Sequence, residues 1–539
     1  MGWSAVLASP YNSTTANVFA LRDDQRARLE GTYAYEWGID APQAPAVIAS
    51  NTLTGLTGDY NAVYTYCRKE RHVLVCESNP SDEASAVVAL TNDGLSVTVA
   101  APEDPQINAI RIYRTTAGGT SYYFTGELSY VNLFWTCTQD FEEDTSYFAG
   151  LPYRFTTEDT AHNAEATYIW ELVYERYTLT DEITRPTTPA DNDLVFEDDN
   201  ADTVLGSLAP SDHDRPPQGS FVFGPSQNGT LFILHNHQCH YNKPQQPEYW
   251  PSTYYVDVSS LQYPLVCGCF YDRAPYLFDR RTIYYLAGTQ FADLPNMTTY
   301  RPYPQEARAG ALSAGGIASV LGLGIFHIGM DGIYRFMPSA ESGLDEKITD
   351  TVDSIFRGET LQGIPSVGDL SYAWLQWFGD KLYFGYPSGS DTYAKNVLVF
   401  DFTRKRIAFY EYPTAMSVVC HDKYYNRFLA SGAAGNMMQL EDATAQADDS
   451  VQIAWEIETK EFVLQTRKHY PRWNKYDVDA SGAVVAEANS YLNQGSIKTH
   501  TITGDRVTRR RLLPISNGNR FAVRLSGSGP VKIYAIESE

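Results

Sequence analysis

The sequence predicts an all-β protein whose largest part is a β-propeller. Three observations predict it. Helical periodicity is scarce along the chain. Short aromatic or β-branched runs alternate instead with Gly, Asp, Asn and Pro turns, as in "GSFVFGPSQNGTLFILHNHQCHY", "GLGIFHIGMDGIYRFM" and "AWLQWFGDKLYFGYP". Such units return at intervals of about 40 to 50 residues between 218 and 465, the spacing of four-stranded propeller blades. The turns "QNG", "MDG" and "FGD" carry hairpin chemistry, because Gly and Asn accept positive φ. The repeats are degenerate. They lack a WD series, a kelch double-Gly series and the S-x-D-x-G-x-x-W box of sialidase-type propellers.

The chain has 539 residues, too many for one core, so about two to four domains are expected. Residues 1–59 are expected to contribute to the propeller or a platform. Residues 60–130 alternate with Pro and Gly breaks and predict a small β-sandwich of fibronectin-III type, with "INAIRIYRT" as its central strand. Residues 131–214 are an irregular β insertion and acidic linker, in which "ATYIWELVYERYTL" fits a long strand or hairpin. Residues 215–465 are the blades. Residues 466–539 form a C-terminal platform or sandwich closed by the hairpin "RFAVRLSGSGPVKIYAIESE". The uncharged stretch "GALSAGGIASVLGLGIFHIGM" is long enough to span a membrane. Its glycines and its run into "DGIYRF" instead predict two short buried strands. The N-terminus lacks the basic and apolar regions of a signal peptide.

The formal charge of −24 is a poor balance for gripping nucleic acid and suits a surface that DNA slides past. Tyr is abundant, at 39 residues, and serves both strands and interfaces. Seven Cys, an odd number without a repeating interval, point to thiols rather than a disulfide framework. Cys267 and Cys269 in "VCGCF" would share one strand face and pack inside.

Candidate chemistry is sparse. The run "HNHQCHYNKPQQPEYWP" reads as a strand, a turn near His235–His237 and a returning strand. Strand geometry would put His235, His237 and Cys239 on one face, which leaves a metal geometrically open, but packing or surface use is the expectation. "DNDLVFEDDNAD" offers Asp191, Asp193, Glu197, Asp198, Asp199 and Asp202 at calcium-like density, without the Gly spacing of an EF-hand. Glycoside hydrolysis would need two acids across a cleft. The pairs Asp198/Asp199 and Glu142/Glu143 lie in acidic runs, where solvated residues are expected. Gly-x-Ser-x-Gly, Walker and His-Glu-x-x-His motifs are absent. No catalytic residue, cofactor or metal is therefore assigned. The one basic cluster is Arg506, Arg509, Arg510 and Arg511 in "RVTRRRLLP", expected to bridge subunits.

The order of segments resembles the β-propeller tail proteins of tailed bacteriophages, the podophage tail-hub (stabilisation) and tail-nozzle type. The resemblance runs through "YTYCRKERHVLVCESNPS", "IRIYRTTAGGTSYYFTGEL", "FEDDNADTVLGSLAPSDHDRPPQG", "NGTLFILHNHQCHYNKPQQPEYWP" and "GIFHIGMDGIYRF". The segment 131–195 has no counterpart in it. The resemblance implies a structural, non-enzymatic virion protein, assembled in the host cytoplasm as a homohexameric ring. That ring would sit below the portal and adaptor, pass genomic DNA without binding it, and dock fibres or spikes. The alternative is a carbohydrate-binding or carbohydrate-active propeller, whose aromatic loop "QPEYWPSTYY" would stack on sugars.

Overall fold

A computed structural model describes residues 33–70, 73–104, 106–131 and 134–138, then 194–288, 300–338, 344–422, 425–432 and 437–441. It also describes the strands outside those bounds, between 4 and 30 and between 447 and 538. The chain divides into two compact units, Met1–Trp377 and Phe378–Glu539.

The first unit opens with an antiparallel four-stranded meander: β1 (Ser4–Ala8), β2 (Asn17–Arg22), β3 (Gln25–Glu30) and β4 (Tyr33–Glu36). A sandwich follows. Its strands are β5 (Val47–Tyr60), β6 (Ala62–Glu70), β7 (Val73–Glu77), β8 (Val88–Thr98), β9 (Ala109–Thr115), β10 (Tyr122–Val131), β11 (Phe134–Thr138) and β12 (Val195–Asp198). One sheet has the order β11-β10-β9-β6-β7, so "AIRIYRT" is central, and the other has β12-β8-β5. Alternation along the strands builds the core between them. Tyr64, Ile110, Ile112 and Leu128 of the first sheet meet Leu90, Leu95, Val97 and Phe196 of the second. Gly126 sits at a bulge in β10, where a Cβ would lie 2.2 Å from the Phe196 ring. The sandwich is wider than 60–130: it takes in Val47–Tyr60 and recruits Val195–Asp198 from beyond the insertion.

Three further four-stranded antiparallel sheets complete this unit. They are β13 (Phe221–Phe223), β14 (Phe232–His235), β15 (Gln238–Tyr241) and β16 (Tyr255–Asp257); β17 (Cys267–Tyr271), β18 (Ala274–Phe278), β19 (Ile283–Ala287) and β20 (Arg301–Pro304); and β21 (Ile317–Val320), β22 (Gly324–Gly329), β23 (Gly332–Met337) and β24 (Leu344–Lys347). The first strands of successive sheets are neighbours: β1 lies beside β13, β13 beside β17, and β17 beside β21. That succession of meanders is how propeller blades are laid out. Each pair of adjacent sheets shares a core. Phe19, Trp37, Ile233 and Trp250 fill one, Phe232, Tyr241, Leu277 and Leu286 the next, and Cys267, Phe278, Ile325 and Phe336 the third. A buried side chain of this size contributes about 2–3 kcal/mol. The "GALSAGGIASVLGLGIFHIGM" stretch becomes β21 and the wholly buried β22, joined at a turn where Gly322 has φ 82°. No helix among the described residues is long and apolar enough to cross a membrane.

β25 (Trp374–Phe378) leads out of the first unit. The second unit begins with β26 (Lys381–Tyr386), β27 (Ala394–Asp401), β28 (Arg406–Asp422), β29 (Arg427–Gly432) and β30 (Met437–Leu440). Gly379 and Asp380, the "FGD" turn, have φ 55° and 62°. The 17-residue β28 pairs with β27 through its first half and β29 through its second. Beyond it, after the short pair Ala447–Asp448 and Val451–Gln452, lie two small sheets. One contains the strands Ala454–Glu458, Arg520–Ser528, Ala483–Ser490 and Gly495–Thr503; the other contains Thr508–Arg511, Trp473–Ala480 and Val531–Ser538. The predicted closing hairpin is therefore corrected. Arg520–Ser528 and Val531–Ser538 follow each other in sequence but pair in different sheets. The platform also starts before 466, because Ala454–Glu458 pairs with Arg520–Ser528.

Candidate functional site

The polar interior of the first unit lies where the sandwich meets the loops around its neighbouring blade. Strand alternation creates it. Ile110 and Ile112 of β9 face the sandwich core, so Arg111 and Tyr113 face the other way. There they meet Glu77 at the end of β7. Tyr113 Oη donates to Glu77 Oε1 at 2.5 Å and Thr65 Oγ1 donates to the same atom at 2.7 Å. Arg111 reaches Glu77 Oε2 at 3.5 Å and Glu127 Oε2 at 3.4 Å. Burial alone would raise Glu127, but Lys69 and Arg111 outweigh it and hold the carboxyl below its usual range.

Glu77, Arg111 and Tyr113 line a cavity of about 340 Å³ whose other wall is the loop 207–213 and the loop 246–249. Tyr249 Oη accepts from the backbone N–H of Glu77 at 2.9 Å. His213 stacks flat on the Tyr249 ring, centroids 3.9 Å apart and planes 2° apart. Burial, then Lys243, push the His213 imidazole down to about 4, so the ring is neutral at neutral pH. Asp212 holds Lys243 at 2.6 Å.

On the cavity wall, Glu248 anchors blade to sandwich. It forms a short ion pair with Arg68 of β6, whose Nη1 also reaches Glu248 Oε2 at 3.3 Å. Arg28 of β3 approaches the same carboxylate at 4.0 Å. Gln106 closes the group, accepting from Arg68 at 3.1 Å and Arg28 at 3.4 Å and donating to the Gly38 carbonyl at 3.1 Å. Arg28, Arg68, Gln106 and Glu248 are all buried. One glutamate thus joins β3, β6 and the 246–249 loop.

The sequence candidates land elsewhere. Arg509, Arg510 and Arg511 lie together on the strand Thr508–Arg511, and Arg509 is opposite Lys475; Arg506 lies outside the described residues. The His run makes the predicted hairpin, with Asn236 at φ 52° in the turn. The shared face is corrected: the turn separates His235 from the returning strand, where Cys239 is wholly buried in the blade core. His237 faces Asp257 at 3.3 Å, and His235 sits against His240 at 6.3 Å between centroids. No group of three or more His, Cys, Asp or Glu converges as a metal site among the described residues. Asp198, expected to be solvated, is fully buried and receives Arg114 Nε at 2.5 Å, while Asp202 receives Nη1 at 2.6 Å. Asp191, Asp193, Glu142 and Glu143 lie outside the described residues. In the aromatic loop the rings of Tyr249, Trp250 and Tyr254 are buried, and Tyr255 is exposed. Cys267 and Cys269 do pack into one core, and burial pushes both thiols up. The cavity residues Glu77, Arg111, His213 and Tyr249 escaped the sequence reading. Their one signal was the pair of arginines inside the apolar strand "IRIYRT".

No family model matches the chain, and no curated protein matches it. Among solved structures, BBS1N in complex with ARL6DN is 10% identical with a TM-score of 0.28, covering 82% of this chain and 92% of that one. A variant of the exo-β-1,3-galactanase of Phanerochaete chrysosporium, with β-1,3-galactotriose, is 7% identical with a TM-score of 0.24, covering 58% of this chain and 94% of that one. Likenesses at these TM-scores carry neither the fold nor a function to this chain.

Proposed function

We propose that the chain is a structural component of a bacteriophage tail, of hub or nozzle type, that forms a ring around the DNA-ejection channel and does not catalyse a reaction. The observation that carries the structural reading is the Arg28–Glu248–Arg68 group. It joins a blade-like sheet, the sandwich and a neighbouring blade loop into one body, which suits a part that bears load. The carboxylates of the cavity are engaged in the same way, Glu77 by Arg111 and Asp212 by Lys243, which disfavours an acid pair for glycoside hydrolysis. The ordered sequence resemblance supports the tail assignment, and the −24 charge suits a wall that DNA passes. In a ring, one face of each subunit meets a different face of the next.

The test is the solution mass by light scattering, alone and with the portal–adaptor complex of the same virus. A monomer that becomes a ring on the complex is expected. A chain that stays monomeric with the complex present overturns the reading.

A further inference from the structure

We propose that the cavity between β7, β9 and the 207–213 and 246–249 loops is a binding site for a small neutral polyhydroxylated molecule, such as one pyranose unit of a glycan. Its size, about 340 Å³, lies in the range of small-molecule sites. Its charge selects against ions. Each lining carboxylate already faces a cation: Glu77 faces Arg111 at 3.5 Å, Glu248 faces Arg68 at 3.3 Å, and Asp212 faces Lys243 at 2.6 Å. A charged guest beside Glu77 or Glu248 would have to break a buried pair, and separating such a pair is costly.

Hydrogen-bonding capacity remains after those pairs are made. The ion pairs of Arg111 are long, at 3.4 and 3.5 Å, so its guanidinium, which also lies over the Phe124 ring, can still donate. Tyr249 Oη accepts from Glu77 N–H, which leaves its own hydrogen to donate. His213 bonds the Glu77 backbone through its ring and keeps one ring nitrogen, Nδ1, without a partner. Glu77 Oε2 can accept. Convergent donors and acceptors without net charge are what several hydroxyl groups on one ring require. Leu208, 59% exposed, stands at the mouth, while Glu77 and Tyr113 are buried in the floor. The apolar wall of Leu74, Val75 and Pro247 suits the C–H face of such a ring.

The test is saturation-transfer NMR on the full chain with the methyl glycosides of glucose, galactose and mannose, beside N-acetylneuraminic acid as an anion and glucosamine as a cation. At least one neutral glycoside is expected to bind in the millimolar range, and the ions more weakly. Leu208→Trp, a change at the exposed mouth, is expected to weaken that binding about tenfold or more, as is His213→Ala. Silence from all the neutral glycosides, tighter binding of an ion, or binding untouched by both variants overturns the proposal. The proposal stands apart from the assembly reading: a chain that binds a glycoside yet never forms a ring supports the one and overturns the other.

Discussion

Arg114 and Asp198 lie 84 positions apart in sequence and meet inside the sandwich, Nε to Oδ2 at 2.5 Å, both side chains wholly buried. The contact ties β9, the centre of one sheet, to β12, the edge of the other. Arg114 also donates to Asp202 Oδ1 at 2.6 Å, to the Thr115 carbonyl at 2.9 Å, and to the Asn200 carbonyl. Its guanidinium lies 5.1 Å from the Tyr60 ring centre. The strand that follows the insertion is therefore held by charge as well as by Phe196.

Removing one member of such a buried pair leaves the other charge without a counterion. Arg114→Met should destabilise the unit Met1–Trp377 by about 3–5 kcal/mol. The double variant Arg114→Met/Asp198→Leu should recover a substantial part of that loss. Urea unfolding followed by circular dichroism distinguishes the cases. A single variant as stable as the parent would show that the pair does not hold β12.

Glu248 lies against both Arg28, at 4.0 Å, and Arg68, which Glu70 also approaches at 3.7 Å. Glu248→Gln keeps the shape and removes the charge, so two buried arginines lose their shared anion. The expected cost is again about 3–5 kcal/mol. Hydrogen exchange should rise in β3 and β6 together, since the contact joins the blade-like first sheet to the sandwich. Exchange that rises in only one of them would mean that Glu248 braces a single element.

His213 gives the protein an acid-side weakness. Its folded pKa is lowered to about 4, from an ordinary imidazole value near 6.5. Between those values the unfolded chain binds the proton and the folded chain does not. The contribution is complete above pH 6.5 and is lost as pH falls toward 4, amounting to roughly 3 kcal/mol by linkage. His213→Phe should keep the stack on Tyr249 and flatten the fall in urea midpoint between pH 7 and pH 4.5. Part of the slope should remain, because burial also pushes His240 down to about 4. An unchanged slope would show that His213 is not held neutral in the fold.

What the sequence made legible follows physical periodicity. Short apolar runs bounded by Gly, Asn and Asp turns announce antiparallel hairpins, and the blade hairpins Phe232–Tyr241 and Gly324–Met337 are such cases, their strands mostly buried rather than alternating. Contacts closed by distant residues carry no local signature. Asp198 looked like one acid among many in "FEDDNAD", yet it is the most deeply buried acid of that run, because Arg114 waits on the facing sheet. The final two strands looked like a hairpin because "GSGP" is turn chemistry. Pairing with Ala483–Ser490 and with Trp473–Ala480 separates them instead. The cavity was invisible for the same reason, since its walls come from four stretches between 74 and 249.

The strand Thr508–Arg511 brings the last prediction. It ends a three-stranded sheet, paired with Trp473–Ala480 on one side, and sets Arg509 opposite Lys475. A basic sheet end in a chain of net charge −24 is complementary to most of the surface that a second copy would present. Arg509→Glu/Arg511→Glu should leave the circular dichroism spectrum unchanged and lower the fraction of chain that assembles on the portal–adaptor complex. Raising the salt concentration should weaken assembly of the parent more than that of the variant, because salt screens attraction between opposite charges across an interface. Equal ring yield from parent and variant would remove this patch from the subunit interface.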